Sequence, residues 1–227
     1  MKIGSIDFPI YGLIVLLSTF IGMLYVFIHL KKEKKSSLLL YICLYFIFSF
    51  FCGKIFTEVS SGFKYTMINA PLSSYGGFVG VILASFIFQK IEYSNKDLIK
   101  YSIISLPLVY GLSKIACFIS GCCYGIPFNS FFSVTYTSGL NIKLFPIQIV
   151  ETIVFLIIFL ICNKYKKYKY ISYITIIISA LAKLLLDFLR YEHLTKIITI
   201  NQYFSLGLII VVTIILSIKY YKDNKSK

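Results

Sequence analysis

Seven apolar stretches constrain this chain more than any other feature. They cover residues 8–30, 38–57, 73–91, 101–121, 146–162, 171–189 and 202–218. A helix needs about 20 apolar residues to cross the hydrocarbon core of a membrane. Because 58% of the 227 residues are hydrophobic, a water-soluble fold could not hide them all. We therefore predict an all-α, polytopic membrane protein with seven transmembrane helices and a single domain over residues 1–227.

The distribution of basic residues predicts the orientation of these helices. The formal net charge is +14, but the lysines lie in short clusters between apolar stretches, so we do not expect nucleic acid as a partner. When the loops are assigned alternately to the two sides, 15 basic residues fall on one side and five on the other. Since cytoplasmic loops are rich in Lys and Arg, we predict that the N-terminus is outside and the C-terminus is cytoplasmic.

Residues 111–125 close the fourth apolar stretch and carry a lysine, three cysteines and three glycines. On a helix, Lys114, Cys117 and Gly121 are spaced i, i+3, i+7 and share one face. A lysine at membrane depth costs about 2.5–3.5 kcal/mol, so it normally faces protein or a wet cavity. We predict that these residues form one wall of a polar site in the outer half of the membrane.

Further polar residues lie at the same predicted level. Lys183, Asp187 and Arg190 are spaced i, i+4, i+7, which indicates either an anion site for a lipid phosphate or an internal salt-bridge network. Residues 73–80 open the third helix with Gly76 and Gly77, where exposed N–H groups could hold an anion or the helices could pack closely. Gln148 and Glu151 face the same way near the start of the fifth helix, where Glu151 could also be a partner of the helix dipole.

The six cysteines form no CxxC pair and no histidine stands at metal-ligand spacing, so we expect no metal site. Cys43, Cys52 and Cys162 lie within apolar stretches and are predicted to pack as small hydrophobic side chains. Cys122 and Cys123 lie at the predicted outer interface, where a disulfide and a reactive thiolate are both open interpretations.

Together these motifs resemble the prolipoprotein diacylglyceryl transferase family over roughly residues 9–218. Tyr11-Gly12 resembles the family's Tyr-Gly, Gly53-Lys54 its Gly-Arg, and residues 74–80 its Phe-His-Gly-Gly-Leu-Ile-Gly. Residues 111–125 are similar to its signature Gly-x-x-x-Gly-Arg-x-x-Asn-Phe-x-Asn-Gly-Glu-x-x-Gly. Residues 146–151 resemble its Pro-Ser-Gln-x-x-Glu, residues 183–190 its Arg-x-x-x-Glu-x-x-Arg, and residues 201–205 the start of its last helix.

The resemblance implies an enzyme of the bacterial plasma membrane that moves the diacylglyceryl group of phosphatidylglycerol to a lipobox cysteine of a preprolipoprotein. It implies no cofactor. The residues that it assigns to catalysis are Tyr75, Lys114 and Lys183. Those that it assigns to substrate binding are Tyr11, Lys54, Gly76, Gly77, Cys117, Gly121, Cys122, Gly125, Gln148, Glu151, Asp187 and Arg190.

This sequence departs from the family pattern at the charged positions. Three family arginines are replaced by Lys54, Lys114 and Lys183, which keep the charge but lose the bidentate fork. Tyr75 stands in place of the family histidine, and Cys117 and Cys122 replace an asparagine and a glutamate. Two alternatives therefore remain open: a catalytically altered relative that binds or modifies anionic lipid through its thiols, and a small transporter.

Overall fold

A computed structural model describes residues 2–3, 8–29, 35–67, 71–92, 97–136 and 141–225. Over these ranges the chain forms seven α-helices, a two-residue parallel strand pair and a short 3-10 helix at Tyr191–Leu194. The strands are β1 (Lys2–Ile3) and β2 (Thr135–Tyr136). The helices are α1 (Phe8–His29), α2 (Lys35–Ser60), α3 (Ser74–Glu92), α4 (Leu98–Ser120), α5 (Ile147–Lys164), α6 (Ile171–Asp187) and α7 (Ile200–Lys225).

The all-helical membrane architecture predicted from the sequence is confirmed. Six of the described helices are long and apolar enough to cross a membrane, namely α1, α2, α3, α4, α5 and α7. The seventh, α6, has 17 residues. Large apolar side chains such as Leu13, Leu160 and Ile210 are exposed on the helix surfaces, as expected for surfaces that face lipid.

The sixth helix ends earlier than the sequence predicts, and this changes the position of Arg190. The sixth apolar stretch was expected to stay helical to residue 189, but α6 ends at Asp187. The amides of Leu189 and Arg190 donate to carbonyls three residues back, which tightens the last turn. Arg190 itself is extended (φ −92°, ψ 149°), so it lies beyond the helix. Several loop lysines used for the orientation lie outside the described residues: Lys31, Lys32, Lys34, Lys96 and Lys227.

The chain groups into two compact units. Met1–Thr19 and Pro107–Lys227 form the first unit, and Phe20–Leu106 forms the second. Helices α1 and α4 each contribute residues to both units.

In the second unit, α2 and α3 approach closely at two glycines one helical turn apart. A Cβ on Gly76 would lie 2.2 Å from the carbonyl oxygen of Cys52, and one on Gly80 would lie 2.2 Å from that of Phe48. No side chain fits at those distances, so both positions require glycine. This is the small-xxx-small pattern by which membrane helices pack.

The second unit also buries a cluster of hydroxyl groups. The Tyr41 hydroxyl lies 3.2 Å from that of Ser85 and 2.9 Å from that of Ser102, and Ser85 donates to Ser102 at 2.8 Å. All three side chains are buried. Because unpaired polar groups are costly in an apolar interior, these bonds tie α2, α3 and α4 together.

In the first unit, the segment between α4 and α5 folds over its own small core. Val134, Tyr136 and Leu144 are buried together, with Phe118 and Tyr124 packed against them. The parallel pairing of Lys2 with Thr135 and of Ile3 with Tyr136 attaches the N-terminal strand to this segment. The candidate active site lies in this unit.

Candidate active site

Glu151 is the centre of a buried polar cluster in the first unit. Its Oε1 accepts hydrogen bonds from the Tyr110 hydroxyl at 2.8 Å and from the Arg190 guanidinium at 2.6 Å. Its Oε2 lies 3.0 Å from the Lys114 ammonium. The three partners come from α4 and from the loop after α6, and Glu151 comes from α5. One carboxylate therefore joins three separate parts of the chain.

Lys183 and Asp187 extend this cluster from α6. The Tyr110 hydroxyl accepts hydrogen bonds from the Lys183 ammonium at 2.9 Å and from Arg190 at 3.5 Å, and donates its own to Glu151. Asp187 Oδ1 lies 3.4 Å from Arg190 Nε. Lys183 and Asp187 are both buried, as their shared helix face predicts.

The cluster holds one more cation than anions. At their formal charges, Lys114, Lys183 and Arg190 are positive, and Glu151 and Asp187 are negative. Burial by itself would lower the pKa of Arg190, but the neighbouring Glu151 outweighs it and raises that pKa well above its ordinary value. Buried charges are costly unless they are paired, so the unmatched positive charge favours a bound anion.

One donor in this cluster has no hydrogen-bond partner. Arg190 Nε is buried and makes no hydrogen bond to the described residues, because its contact with Asp187 Oδ1 is too long and poorly aligned. Buried polar groups are normally satisfied by protein, water or a ligand. An anion at this point would complete the set of partners of the guanidinium.

The local fold explains how Arg190 reaches Glu151. Gly125 and Arg190 form an antiparallel bridge, flanked by hydrogen bonds from Ile126 to Leu189 and from Tyr191 to Tyr124. A Cβ on Gly125 would lie 2.3 Å from the carbonyl oxygen of Phe145, so this approach requires glycine. The bridge holds Arg190 beside the cluster after α6 has ended.

Asp187 also accepts a hydrogen bond from Thr199, the residue just before α7. Thr199 donates its hydroxyl to Asp187 Oδ2, and its amide donates to Gln202 Oε1 at 2.9 Å. His193 Nε2 lies 3.7 Å from the same carboxylate oxygen. Asp187 therefore both pairs with Arg190 and fixes the beginning of the last helix.

A second group of residues lies at the end of α4, where three thiols converge. The Sγ atoms of Cys117, Cys122 and Cys123 all lie within 4.8 Å of one another, and all three cysteines are free. Gly121 has φ +63° and ends the helix in a Schellman turn. In that turn the Cys122 amide donates to the Cys117 carbonyl at 3.0 Å and the Gly121 amide to the Phe118 carbonyl at 3.4 Å. The turn folds the chain back on itself and brings the later cysteines to Cys117.

The thiols of this turn differ in acidity. Hydrogen bonds from the Cys117 and Cys122 thiols, with the nearby charges of Lys114 and Arg190, hold the pKa of Cys123 well below its usual range. The hydrogen bond with Cys117 lowers the pKa of Cys122, but the one with Cys123 and burial raise it more, so the net shift is upward. Cys123 is therefore the thiol that ionises most readily.

Gln148 fixes this turn from α5. Its amide nitrogen donates to the Cys122 carbonyl at 2.6 Å, and its oxygen accepts from the Tyr136 hydroxyl at 3.1 Å. Gln148 is fully buried. Tyr11, from the first helix, lies near enough to Cys117 to interact with its charge. Gln148 thus contacts the backbone of the turn that carries the thiols, whereas Glu151, one turn further along α5, contacts the cations.

The remaining predicted site residues belong to the second unit. Lys54 is buried, with its ammonium 5.4 Å from the centroid of the Phe50 ring. Tyr75 is also buried and stacks on Phe56 at a ring separation of 5.9 Å. Gly76 serves the packing of α2 against α3, while a Cβ on Gly77 would make only an ordinary contact. Their assignment to catalysis or substrate binding stays a prediction.

Sequence reasoning missed two members of the cluster. Tyr110 lies at the centre of the hydrogen-bond network, and its spacing of i, i+4, i+7 with Lys114 and Cys117 was a usable signal. The second is His193, which the structure places beside Asp187. That contact depends on how the chain turns after α6 and has no signature in the sequence.

Comparison with known proteins agrees with this arrangement of motifs. The family model described as prolipoprotein diacylglyceryl transferase matches residues 1–218. Among curated proteins, the chain is 27% identical over 163 residues to the phosphatidylglycerol–prolipoprotein diacylglyceryl transferase of Clostridium tetani. It is 27% identical over 92 residues to the protein of the same name from Dehalococcoides mccartyi, and 23% identical over 256 aligned residues to that of Francisella tularensis subsp. novicida.

These matches differ in how much they cover. The Clostridium match covers 66% of this chain and 65% of the relative, and the Dehalococcoides match covers 40% and 35%. The chain thus spans less than two thirds of either of these two relatives. The Francisella match covers all of this chain and 94% of the relative.

Proposed function

Because this chain belongs to the prolipoprotein diacylglyceryl transferase family, we propose that it transfers the diacylglyceryl group of phosphatidylglycerol to a cysteine thiol of a prolipoprotein. The buried cluster around Glu151 is the main support for this proposal. Three formal cations from α4, α6 and the following loop meet two carboxylates there, which leaves a formal excess of one positive charge. The phosphodiester of phosphatidylglycerol carries one negative charge, which matches it.

The same cations are needed to stabilise the negative charge that develops during the reaction. The thiol sulfur attacks the glyceryl carbon that is bonded to the phosphate oxygen; a C–S bond forms, the C–O bond breaks, and glycerol phosphate leaves with the electron pair. The thiol proton passes to a base. The phosphate therefore gains negative charge as the bond breaks. Cations held near it stabilise the transition state more than the bound lipid, which is how such a site accelerates a reaction.

Each cation of the cluster has its own place in this mechanism. Arg190 keeps the planar fork, and its buried Nε is available to a phosphate oxygen. Lys114 and Lys183 act as point charges and do not bind in the bidentate way of arginine. Glu151 and Tyr110 hold the cations in position against their mutual repulsion. Tyr75 is proposed to orient or activate the acceptor thiol.

The protein is proposed to act at the outer face of a bacterial plasma membrane. The six described helices that can cross a membrane support a multi-pass protein. The excess of basic residues in alternate loops supports a cytoplasmic C-terminus. A reporter that is active only outside the membrane, fused after Lys227, should be inactive. Activity of that fusion would reverse the proposed orientation.

The experiment that tests the activity uses the purified protein in phosphatidylglycerol liposomes with a prolipoprotein substrate. Mass spectrometry detects the added diacylglyceryl group. Lys114→Met should abolish transfer, whereas Lys114→Arg, which restores the family residue, should support it. Lys196→Met, at an exposed loop lysine, is the matched control and should transfer normally.

The outcomes separate the candidate functions. If neither the folded wild-type protein nor Lys114→Arg adds lipid to the substrate, the transferase proposal is wrong. Binding of phosphatidylglycerol liposomes without transfer would then support a lipid-binding relative. Transfer that survives Lys114→Met would show that the cluster does not bind the phosphate.

A further inference from the structure

We propose that Cys117, Cys122 and Cys123 form a three-thiolate binding site for a divalent ion of the zinc class. Their Sγ atoms all lie within 4.8 Å of one another, and none of them is in a disulfide. Thiolates are the preferred ligands of thiophilic ions such as Zn²⁺. The inference does not depend on the proposed function, although the family resemblance assigns Cys117 and Cys122 to substrate binding.

The distances suit such an ion after a small adjustment. With a Zn–S bond of about 2.3 Å, two sulfurs on a tetrahedral zinc lie about 3.8 Å apart. The three thiols therefore need to close by at most about 1 Å, which side-chain rotation can supply. Three protein ligands leave the fourth position open, and the exposed position of Cys123 gives an ion access from outside the protein.

The backbone is shaped to bring the thiols together. Gly121 ends α4 in the left-handed conformation, and Cys123, which is not glycine, also has a positive φ of 56°. A non-glycine residue in this region is uncommon and is held there by its surroundings. The hydrogen bond from Gln148 to the Cys122 carbonyl fixes the turn between them. Three sulfur atoms are thus directed to one point by a backbone with positive φ at Gly121 and Cys123, which is energetically unfavourable at Cys123.

The surroundings of the thiols resemble the outer shell of a metal site. Gln148 donates to the Cys122 carbonyl at 2.6 Å, and groups around metal ligands commonly orient them by such hydrogen bonds. Lys114 and Arg190 lie near enough to Cys123 to interact with its charge. Three thiolates and a divalent ion carry a net charge of −1, which these side chains would stabilise.

The test measures metal binding by the full chain, reduced and purified without oxygen in detergent. Cd²⁺ reports thiolate ligation through its ultraviolet charge-transfer band, and Zn²⁺ affinity is measured by competition with a chromogenic chelator. One equivalent of Cd²⁺ should bind with the thiolate band. Cys117→Ser and Cys122→Ser should each weaken Zn²⁺ binding by more than the roughly 10- to 100-fold lost with an outer-shell partner. Cys43→Ser, in the second unit, is the matched control and should bind as the wild type does.

A second measurement needs no variant and is therefore independent of variant folding. Zn²⁺ should protect Cys122 and Cys123 of the wild-type protein from maleimide, with the sites of labelling located by peptide mass spectrometry. Three results would overturn the proposal: no thiolate band in the wild type, equal binding by the Cys117→Ser and control variants, or a disulfide among the three cysteines in the anaerobic protein.

Discussion

Replacement of Glu151 by glutamine tests whether the buried charge cluster holds the first unit together. The amide has nearly the same shape, but it cannot pair with Lys114 at 3.0 Å or with Arg190 at 2.6 Å. The formal excess of positive charge in the cluster rises from one to two. Removing one partner of a buried ion pair costs about 3–5 kcal/mol, because the other partner is left uncompensated. For a chain of this size that loss lowers Tm by roughly 6–20 °C.

The assay is thermal unfolding of the purified protein in detergent, followed by the loss of monodisperse protein. Glu192→Gln makes the same chemical change at an exposed position two residues after Arg190 and should stay within about 0.5 kcal/mol of the wild type. The double variant Glu151→Gln, Lys114→Met returns the excess charge to one. It should recover part of the loss, with a coupling energy of about 0.5–3 kcal/mol.

Two results would refute this reasoning. If Glu151→Gln is no less stable than Glu192→Gln, the carboxylate does not hold the cations in the way that the distances indicate. If the double variant loses the sum of the two single losses, Glu151 and Lys114 are not coupled, and the cluster is not the unit that binds the phosphate.

Three further predictions concern the turn after α4 and the second unit. Gly121 has φ +63°, so Gly121→Ala should destabilise the protein by about 1–2 kcal/mol in thermal unfolding. Gly207 lies inside α7 with open space around it, so Gly207→Ala should stabilise the protein slightly. Equal effects of the two substitutions would contradict the left-handed turn at Gly121. Because the pKa of Cys123 is held below its usual range, its maleimide labelling in metal-free protein should stay nearly constant from about pH 8 to 6. For a thiol with the ordinary pKa of about 8.5, the rate of labelling would instead fall roughly tenfold for each unit that the pH is lowered. Tyr75→Phe should reduce transfer while Tyr65→Phe, at an exposed position, should not, and equal rates would remove Tyr75 from the mechanism.

Much of the site could be predicted from the sequence, because a charged side chain inside a membrane is energetically costly. Lys114 and Lys183 stand within apolar stretches, and such residues face the protein interior rather than lipid. The helical spacing of Lys183 and Asp187 places them on one face, and both are buried as predicted. The sequence did not show which carboxylate they would meet. Glu151 is fixed among the cations by the packing of α5 in the first unit.

The positions of other residues could not be predicted from helical periodicity. Arg190 was expected on the last turn of α6, but it lies in an extended segment and is placed by its bridge to Gly125. The close approach of the α2 backbone to Gly76 likewise depends on how two helices pack. The cysteines have no recognised metal spacing, because a left-handed turn at Gly121, and not regular helix, brings their sulfurs together.

The sequence by itself determined the membrane helices, since lipid offers the backbone no hydrogen-bond partners and an apolar stretch of sufficient length must satisfy its own. It also determined which charges would be buried. Only the tertiary structure decided how those charges pair, that Tyr110 joins them, and that three thiols converge. Some of these contacts join residues as far as 80 positions apart in the chain. Their geometry depends on helix ends and turns, where a single hydrogen bond changes the direction of the backbone.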